Sequence, residues 1–468
     1  MSAAKFKGAI LGAMLLSGCA SHADIKPGSL MLVPKTLKAA VDVFPQQHWW
    51  SGFADVQLDK LIEQALARNY SLKVVQTRIA GAQALQAAVD STRYPQVNAG
   101  VQSTREHLSA NSIYPPPLGG STVTMSSTSI AAGWQIDWFG RQRAALDAAI
   151  GQVRADEADI QAAKVVLAGT VATQYFALAR LQEQQQIKQQ LLQLSLHRAE
   201  LTRQRVAAGL DNTLLERQTE AEPLKVRREL AALIEQVDMA RHALAVLTGA
   251  EPSETEQLIA HLPEQSQFNL PDNLPAGLLG HRADVVAARW RVEGQLQEVK
   301  AARADFYPNI NLTAFAGFES IGLAQWLKMD SRTLGAGPAL SLPVFDAGRL
   351  RARLQGQSAQ ADAAIESYNV TVLNALQQVA DQLSSKRALQ TQLQQQQQVV
   401  KQLNGAFELA KQRYQAGISN YFGVLAVNDA LLQQQAVRTD LQARVFDVDV
   451  GLMLALGGGY TAPVMIKG

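Results

Sequence analysis

Apolar and polar positions follow two different periods along this chain, and the switch between them happens twice. From Val56 to Arg68, apolar Val56, Leu58, Leu61, Ile62, Ala65 and Leu66 recur at helical spacing. A second helix, with Ser71 as its expected cap, runs to about Thr92 and is stopped by Tyr94-Pro95, because proline lacks the donor a helix needs. The period then drops to two. Val97, Ala99 and Val101 alternate with Gln96, Asn98, Gly100 and Gln102; Ile130, Ala132, Trp134, Ile136 and Trp138 alternate with Ser129, Ala131, Gly133, Gln135 and Asp137. The predicted strands are 95–106 and 127–139, joined by a loop from His107 to Thr122 whose Pro115-Pro116-Pro117 and Gly119-Gly120 are strong turn signals.

The helical period returns at Arg141 and holds to Ala207 without a proline, with glycine only at Gly151 and Gly169. Such a helix is about 100 Å long. Its apolar residues Leu167, Val171, Leu178, Leu181, Ile187, Leu191, Leu194 and Leu201 step by three, four and seven, which suits coiled-coil packing. Gly209 ends it. A return helix spans about Asn212 to Leu247, and Pro223 inside it is expected to kink it or delay its start.

The whole succession then repeats. Gly140-Arg141 maps onto Gly348-Arg349, Arg205 to Leu210 onto Arg413 to Ile418, and Leu247-Thr248-Gly249 onto Ala455-Leu456-Gly457, each 208 residues on. Tyr94-Pro95 maps onto Tyr307-Pro308 with an offset of 213, so the first strand–strand loop is longer by five residues. The second pair of strands is predicted at 308–319 and 333–345, weakened by Pro338, which removes a ladder donor. The second long hairpin covers 348–456, and Phe422, Leu425, Leu432, Val445, Val448, Leu452 and Leu456 stripe its return helix. The chain divides into a leader at 1–18, a tail at 19–55, repeat 1 at 56–249, a proline-marked connector at 250–280, repeat 2 at 281–457 and a short end at 458–468.

Composition agrees with long helices. Apolar residues make up 47%, aromatics only 6% and charged residues 18% of 468. The glutamine run Gln394 to Gln398 sits between apolar positions at helical spacing and reads as a neutral, solvated helix face. Net charge is +2 from 43 basic and 41 acidic residues; loss of Lys5 and Lys7 with a leader brings the balance to zero. Phosphate binding needs a basic surface, so nucleic acid is excluded as the main partner.

The single cysteine carries more information by position than by number. Lys5 and Lys7 precede an apolar run from Ala9 to Leu16, too short to span a bilayer, followed by Leu16-Ser17-Gly18-Cys19. An ordinary signal peptide with an incidental cysteine is one reading. The other is that the segment resembles the lipobox of bacterial lipoproteins, which implies N-palmitoyl and S-diacylglycerol groups on Cys19, and Ala20 after it implies sorting to the outer membrane. The tail has Pro27, Pro34 and Pro45, and Trp49-Trp50 is expected to pin its end by packing rather than by stacking on a ligand.

The strand pairs suit a soluble hairpin or transmembrane strands, which need about 9–11 residues each; the anchor and the aromatics Tyr94, Trp138 and Phe139 favour the membrane. Four strands cannot close a barrel and open edges are not tolerated in lipid, so several copies must share one wall. The order of lipobox, Tyr-Pro strand pair, Gly-Arg helix, Ala-Gly turn and Leu-Thr-Gly stop, twice over, resembles the TolC-like outer-membrane efflux proteins, and within them the lipidated branch serving resistance-nodulation-division pumps.

The resemblance implies a homotrimer with a twelve-stranded β-barrel in the outer membrane and a tunnel of antiparallel helices in the periplasm. It also implies a passive exit duct for small molecules such as drugs, fed by a periplasmic adaptor and an inner-membrane transporter of the resistance-nodulation-division or major-facilitator type. Adaptor docking maps onto the hairpin ends Ala208, Gly209, Leu210, Ala416, Gly417 and Ile418, which are otherwise simple helix stops. A periplasmic gate maps onto Asp381, otherwise a solvated helix-face residue, and onto Tyr414. Ser419, Gly423 and Ala426 depart from the family's acidic and arginine gate pattern. The rival readings are an adhesive lipoprotein with a coiled-coil stalk, and a duct for protein secretion. No enzyme, cofactor or metal is expected: the seven histidines are scattered, and no His-Glu-x-x-His, phosphate loop or Gly-x-Ser-x-Gly elbow occurs.

Overall fold

The computed structural model describes residues 24–32, 45–263 and 282–460. Cys19 and its lipobox, much of the 19–55 tail, most of the 250–280 connector and the last eight residues lie outside them. The described elements are α1 (Val56–Arg68), α2 (Tyr70–Ser91), β1 (Gln96–His107), β2 (Thr122–Ile136), α3 (Arg141–Ala207), α4 (Thr213–Thr248), α5 (Ala283–Ala304), β3 (Asn309–Ile321), β4 (Arg332–Ser341), α6 (Arg349–Gln415) and α7 (Tyr421–Ala455). The internal repeat is visible in these bounds. α3 and α6 both have 67 residues and start and stop 208 apart; α2 and α5 both have 22 and start and stop 213 apart.

Compact units cut across the two repeats. One unit takes residues 24–31, Arg78–Glu157 and Ala287–Asn369; the other takes 45–77, 158–263, 282–286 and 370–460. The first holds the sheet, a four-stranded antiparallel meander in the order β1-β2-β3-β4. Below the strands, Ile25, Val299, Ala302, Leu354 and Ala361 form its apolar cluster. α3 and α5 approach closely where Gly151 meets Gly294: a Cβ on Gly294 would lie 3.2 Å from the Ala148 carbonyl oxygen. Asp305, on the turn after α5, forms ion pairs with Arg141 at the start of α3 (2.6 Å) and with Arg353 in the first turns of α6 (2.9 Å), so one carboxylate ties both long helices. The strap 24–31 lies along this unit. Asp362 accepts from the backbone of Gly28 and Ser29, Arg303 donates to the Ile25 carbonyl, and Asp24 pairs with Arg351.

The helical unit is centred on Trp49, Trp50 and Phe53, which a short 3₁₀ turn drives into a core of Leu58, Ile62, Val171, Phe176, Leu244, Phe446 and Val450. Packing is therefore the role of the two tryptophans. Phe176 sits between Phe53 and Phe446 at 4.9 and 5.0 Å. Tyr175 donates to Asp55 (2.6 Å), which also caps α1. Burial and that acceptor push the Tyr175 phenol above its usual range, so it stays a donor. α3 contains a window apolar enough to cross a membrane; Val171, Tyr175, Phe176 and Leu178 within it are wholly buried in this core.

Several local expectations are corrected. Asn69, not Ser71, caps α2, because its side chain both accepts from Leu72 N and donates to the Leu247 carbonyl. Pro223 neither delays α4 nor breaks it: Asn212 caps the helix and Pro223 lies inside it. β2 begins at Thr122 rather than 127, since Thr122 to Ser129 pairs with β1 despite its weak alternation. β4 ends at Ser341 rather than 345, with Pro343 just beyond it.

The Asn69 contact has a counterpart that the sequence did not announce. Arg282, 213 residues later, donates to the Ala455 carbonyl, 208 after Leu247, and also binds Asp284 and Gln378. Each repeat thus ties the start of its short helix to the end of its return helix. Arg282→Ala should lower unfolding free energy by about 2 kcal/mol, because it strands the Ala455 carbonyl that the buried guanidinium satisfies, while the half-exposed Asp284 is rehydrated. Phe53→Ala should cost about 3–5 kcal/mol. Denaturant titration of the detergent-solubilised protein measures both.

Candidate functional site

The register of the sheet gives the alternation a single meaning. Val97 faces Ala132, Ala132 faces Ala314 and Ala314 faces Ala336; Trp134 faces Leu312 and Leu312 faces Pro338. Cross-strand partners share a face. One face therefore carries Val97, Ala99, Val101, Ile130, Ala132, Trp134, Ile136, Ile310, Leu312, Ala314, Ala316, Leu334, Ala336, Pro338 and Leu340. The other carries Gln96, Asn98, Gly100, Gln102, Ser127, Ser129, Gly133, Asn311, Thr313, Gly317, Gly335 and Gly337, with Phe315 in its middle and Val123, Met125 and Ile321 at its far end as larger apolar exceptions. On β3 the apolar positions run from Ile310 to Phe318, about the length a tilted transmembrane strand requires.

The apolar face is open. Val97, Val101, Ile130, Leu334 and Leu340 are all more than half exposed. Contiguous apolar surface on this scale marks an interaction or membrane surface. Trp134 is held in orientation by a hydrogen bond from its indole N–H to the Arg93 carbonyl (2.8 Å). At the end of the sheet near α3, Phe139 stacks on Tyr307 at 4.8 Å, and Trp138 and Phe345 are exposed.

The hairpin ends are built alike. At the end of α3, Gly209 (φ 73°) lets Leu210 N–H reach back to the Arg205 carbonyl and Gly209 N–H to Val206. At the end of α6, Gly417 (φ 71°) does the same for Ile418 to Arg413 and for itself to Tyr414. Only glycine adopts this conformation without strain. Asn212 and Asn420 then cap the return helices. The two tips leave Leu210 and Ile418 exposed at 65% and 68%. They differ in one respect: Arg205 pairs with Asp211 and lies over Phe422, whereas no such ion pair is formed at the second tip among the described contacts.

Tyr414 and Asp381 are not brought together. They lie 33 positions apart on one helix, about 50 Å. Tyr414 stacks obliquely on Tyr421 at 4.9 Å, beside His197, and lines a groove of about 610 Å³ with Leu194, Phe407 and Leu425. Asp381 is exposed and its nearest polar contact is Gln377. The buried ion pair in this region is Lys386–Asp449 (3.0 Å), with Asp449 only 1% exposed. The sequence signal for it was weak: an aspartate in an apolar stripe, between Val448 and Val450. Among the described residues no group of His, Cys, Asp or Glu is placed to hold a metal ion.

Comparison with known proteins points one way. The family model described as outer membrane efflux protein matches residues 61–250 and 274–458. The chain is 31% identical to the multidrug resistance outer membrane protein MdtP of Escherichia coli K12, over 98% of this chain and 97% of that one. It superposes on the outer membrane protein VceC of Vibrio cholerae with a TM-score of 0.79 at 33% identity, covering 89% of this chain and 100% of that one. For the outer-membrane channel OprN the TM-score is 0.81 at 28% identity, covering 92% and 99%. An apolar-faced four-stranded sheet, two long helical hairpins and this likeness along almost the whole chain place the protein in the outer membrane efflux protein family, as a channel of the bacterial outer membrane.

Proposed function

We propose that three copies of this chain form one passive exit duct, with twelve strands in the outer membrane and their helical hairpins in the periplasm, through which small molecules leave the cell. The observation that carries this is the sheet: over the half nearest the helices one face is apolar on all four strands, the other is mostly small and polar, and both edges are unpaired among the described residues. Polar groups facing a dry core would be costly, whereas a water-filled bore satisfies them. That face is also what separates a duct from an adhesive stalk. A relative named for multidrug resistance supports drugs as the cargo class. A duct needs no catalytic group, and the protein acts without turnover.

Energy and selection come from a periplasmic adaptor and an inner-membrane pump. The adaptor meets the exposed Leu210 and Ile418, held out by the rigid glycine turns with Ala208, Gly209, Ala416 and Gly417. Asp381, repeated around a threefold axis, makes a ring of negative charge that favours cations, and Tyr414 acts as an inter-helix tie near the tip. Acyl groups on Cys19 add a second hold on the membrane.

Purified protein in a planar bilayer should conduct, and Asp381→Asn should lower its cation preference by about twofold or more. A particle that never opens under any condition would end the duct reading. Leu210→Asp with Ile418→Asp should leave conductance intact but raise drug susceptibility about tenfold in cells that carry adaptor and pump and no other duct, since buried apolar anchors dominate such interfaces. Labelled palmitate should be incorporated by the wild type and not by Cys19→Ala.

A further inference from the structure

The internal repeat lets contacts within the chain specify contacts between chains. β1 and β3 begin 213 residues apart, α3 and α6 208 apart. The strand registers obey both shifts: Val97 faces Ala132, and their images Ile310 and Leu340 also face each other. The remaining pairing inside the chain, β2 with β3, is the join between repeat 1 and repeat 2. Carrying Ala132 forward by 208 gives Leu340, and carrying Ala314 back by 213 gives Val101. The same shifts set Leu342 opposite Ala99 and Val344 opposite Val97. Every one of these residues keeps its apolar face in the mapping, although parity was not imposed.

The helices give the same answer independently. Inside the chain Gly294 on α5 packs against Ala148 and Gly151 on α3. Their images are Gly81 on α2, and Gly356 and Ala359 on α6. Gly81 and Gly356 both sit inside helices, where glycine is less favourable than alanine. A Cβ on either would meet nothing within 4 Å in this chain. Neither glycine has a purpose in the isolated chain; a close helix crossing supplies one for both.

Resting on the trimer reading above, we infer that successive copies join through an antiparallel β4–β1 seam with Leu340 of one copy opposite Val101 of the next, flanked by a crossing of Gly81 over Gly356 and Ala359. The seam extends β4 past Ser341 to Val344, through Leu342 and Val344, which are 48% and 68% exposed in the single chain. This strand length is the one the alternation predicts, and the added backbone pairs appear only when the neighbour is present. The seam is not a perfect copy of the internal join. Asp305 maps onto Thr92, so the carboxylate that holds Arg141 inside the chain has no equivalent facing Arg349 across it.

Oxidative cross-linking of the full chain in detergent tests the register. Val101→Cys with Leu340→Cys should give intermolecular disulfides in high yield, because directly opposed residues stand within disulfide range. Ser103→Cys with Leu340→Cys, shifted by two residues on the same face, should give at least about fivefold less, and chains with either cysteine added alone control for Cys19. Gly81→Leu should reduce the trimer fraction about tenfold by overpacking the crossing while helical circular dichroism is unchanged. A particle of trimer mass that cross-links best in the shifted register, or that tolerates Gly81→Leu, overturns the seam and leaves the duct standing. A particle of monomer mass overturns both.

Discussion

A backbone N–H or C=O without a partner in hydrocarbon costs several kcal/mol, and the sheet presents two whole rows of them, on β1 and on β4. The apolar face makes that cost unavoidable, because it commits the strands to lipid. No rearrangement within one chain removes it: four strands at the usual tilt cannot curl far enough to meet. Association is thus part of the fold: the valines and leucines exposed on the sheet have lipid as their environment, whereas the open strand edges can be satisfied only by another copy.

The repeat shows how a pseudo-symmetric chain can serve a symmetric tube while keeping its two halves distinct. Asn69 and Arg282 occupy equivalent positions and bind equivalent carbonyls, yet one is a neutral cap and the other a buried cation with three further acceptors. Lys386–Asp449 lies in the second hairpin only, since its images are Leu178 and Arg241. Asp305 binds both long helices where Thr92 in the first repeat cannot. The second repeat therefore carries more buried charge. Charge pairs of this kind add little net stability but fix register, because a slipped register leaves a charge unpaired.

The tips and the sheet use opposite solutions to exposure. At the tips, glycine turns fold the last helical carbonyls into backbone hydrogen bonds and leave the side chains of Leu210 and Ile418 exposed. At the sheet edges the backbone itself is left open. A surface of side chains allows a partner to come and go, while an open strand edge in lipid does not. That difference accords with a permanent trimer whose adaptor is a separate protein.

Much of this was legible in the linear pattern, and the reason is physical. Period and offset are properties of the chain alone: side chains alternate every two residues on a strand and every 3.6 on a helix, so the number of elements, their order, the 208 and 213 shifts and the glycine turns all follow from Pro95, Gly140, Gly209 and their images. What alternation could not supply is which strand lies beside which. Only the register shows that four separate apolar stripes make one face, and that Phe315 and Ile321 on β3 point to the other. Asn69 displaced Ser71 as a cap because Leu247, 178 residues away, offers a carbonyl. Asp449 was hidden because burial and pairing depend on neighbours distant in sequence. The tertiary structure decided these points because hydrogen-bond partners and burial are set across the fold, whereas helix and strand are set along the chain.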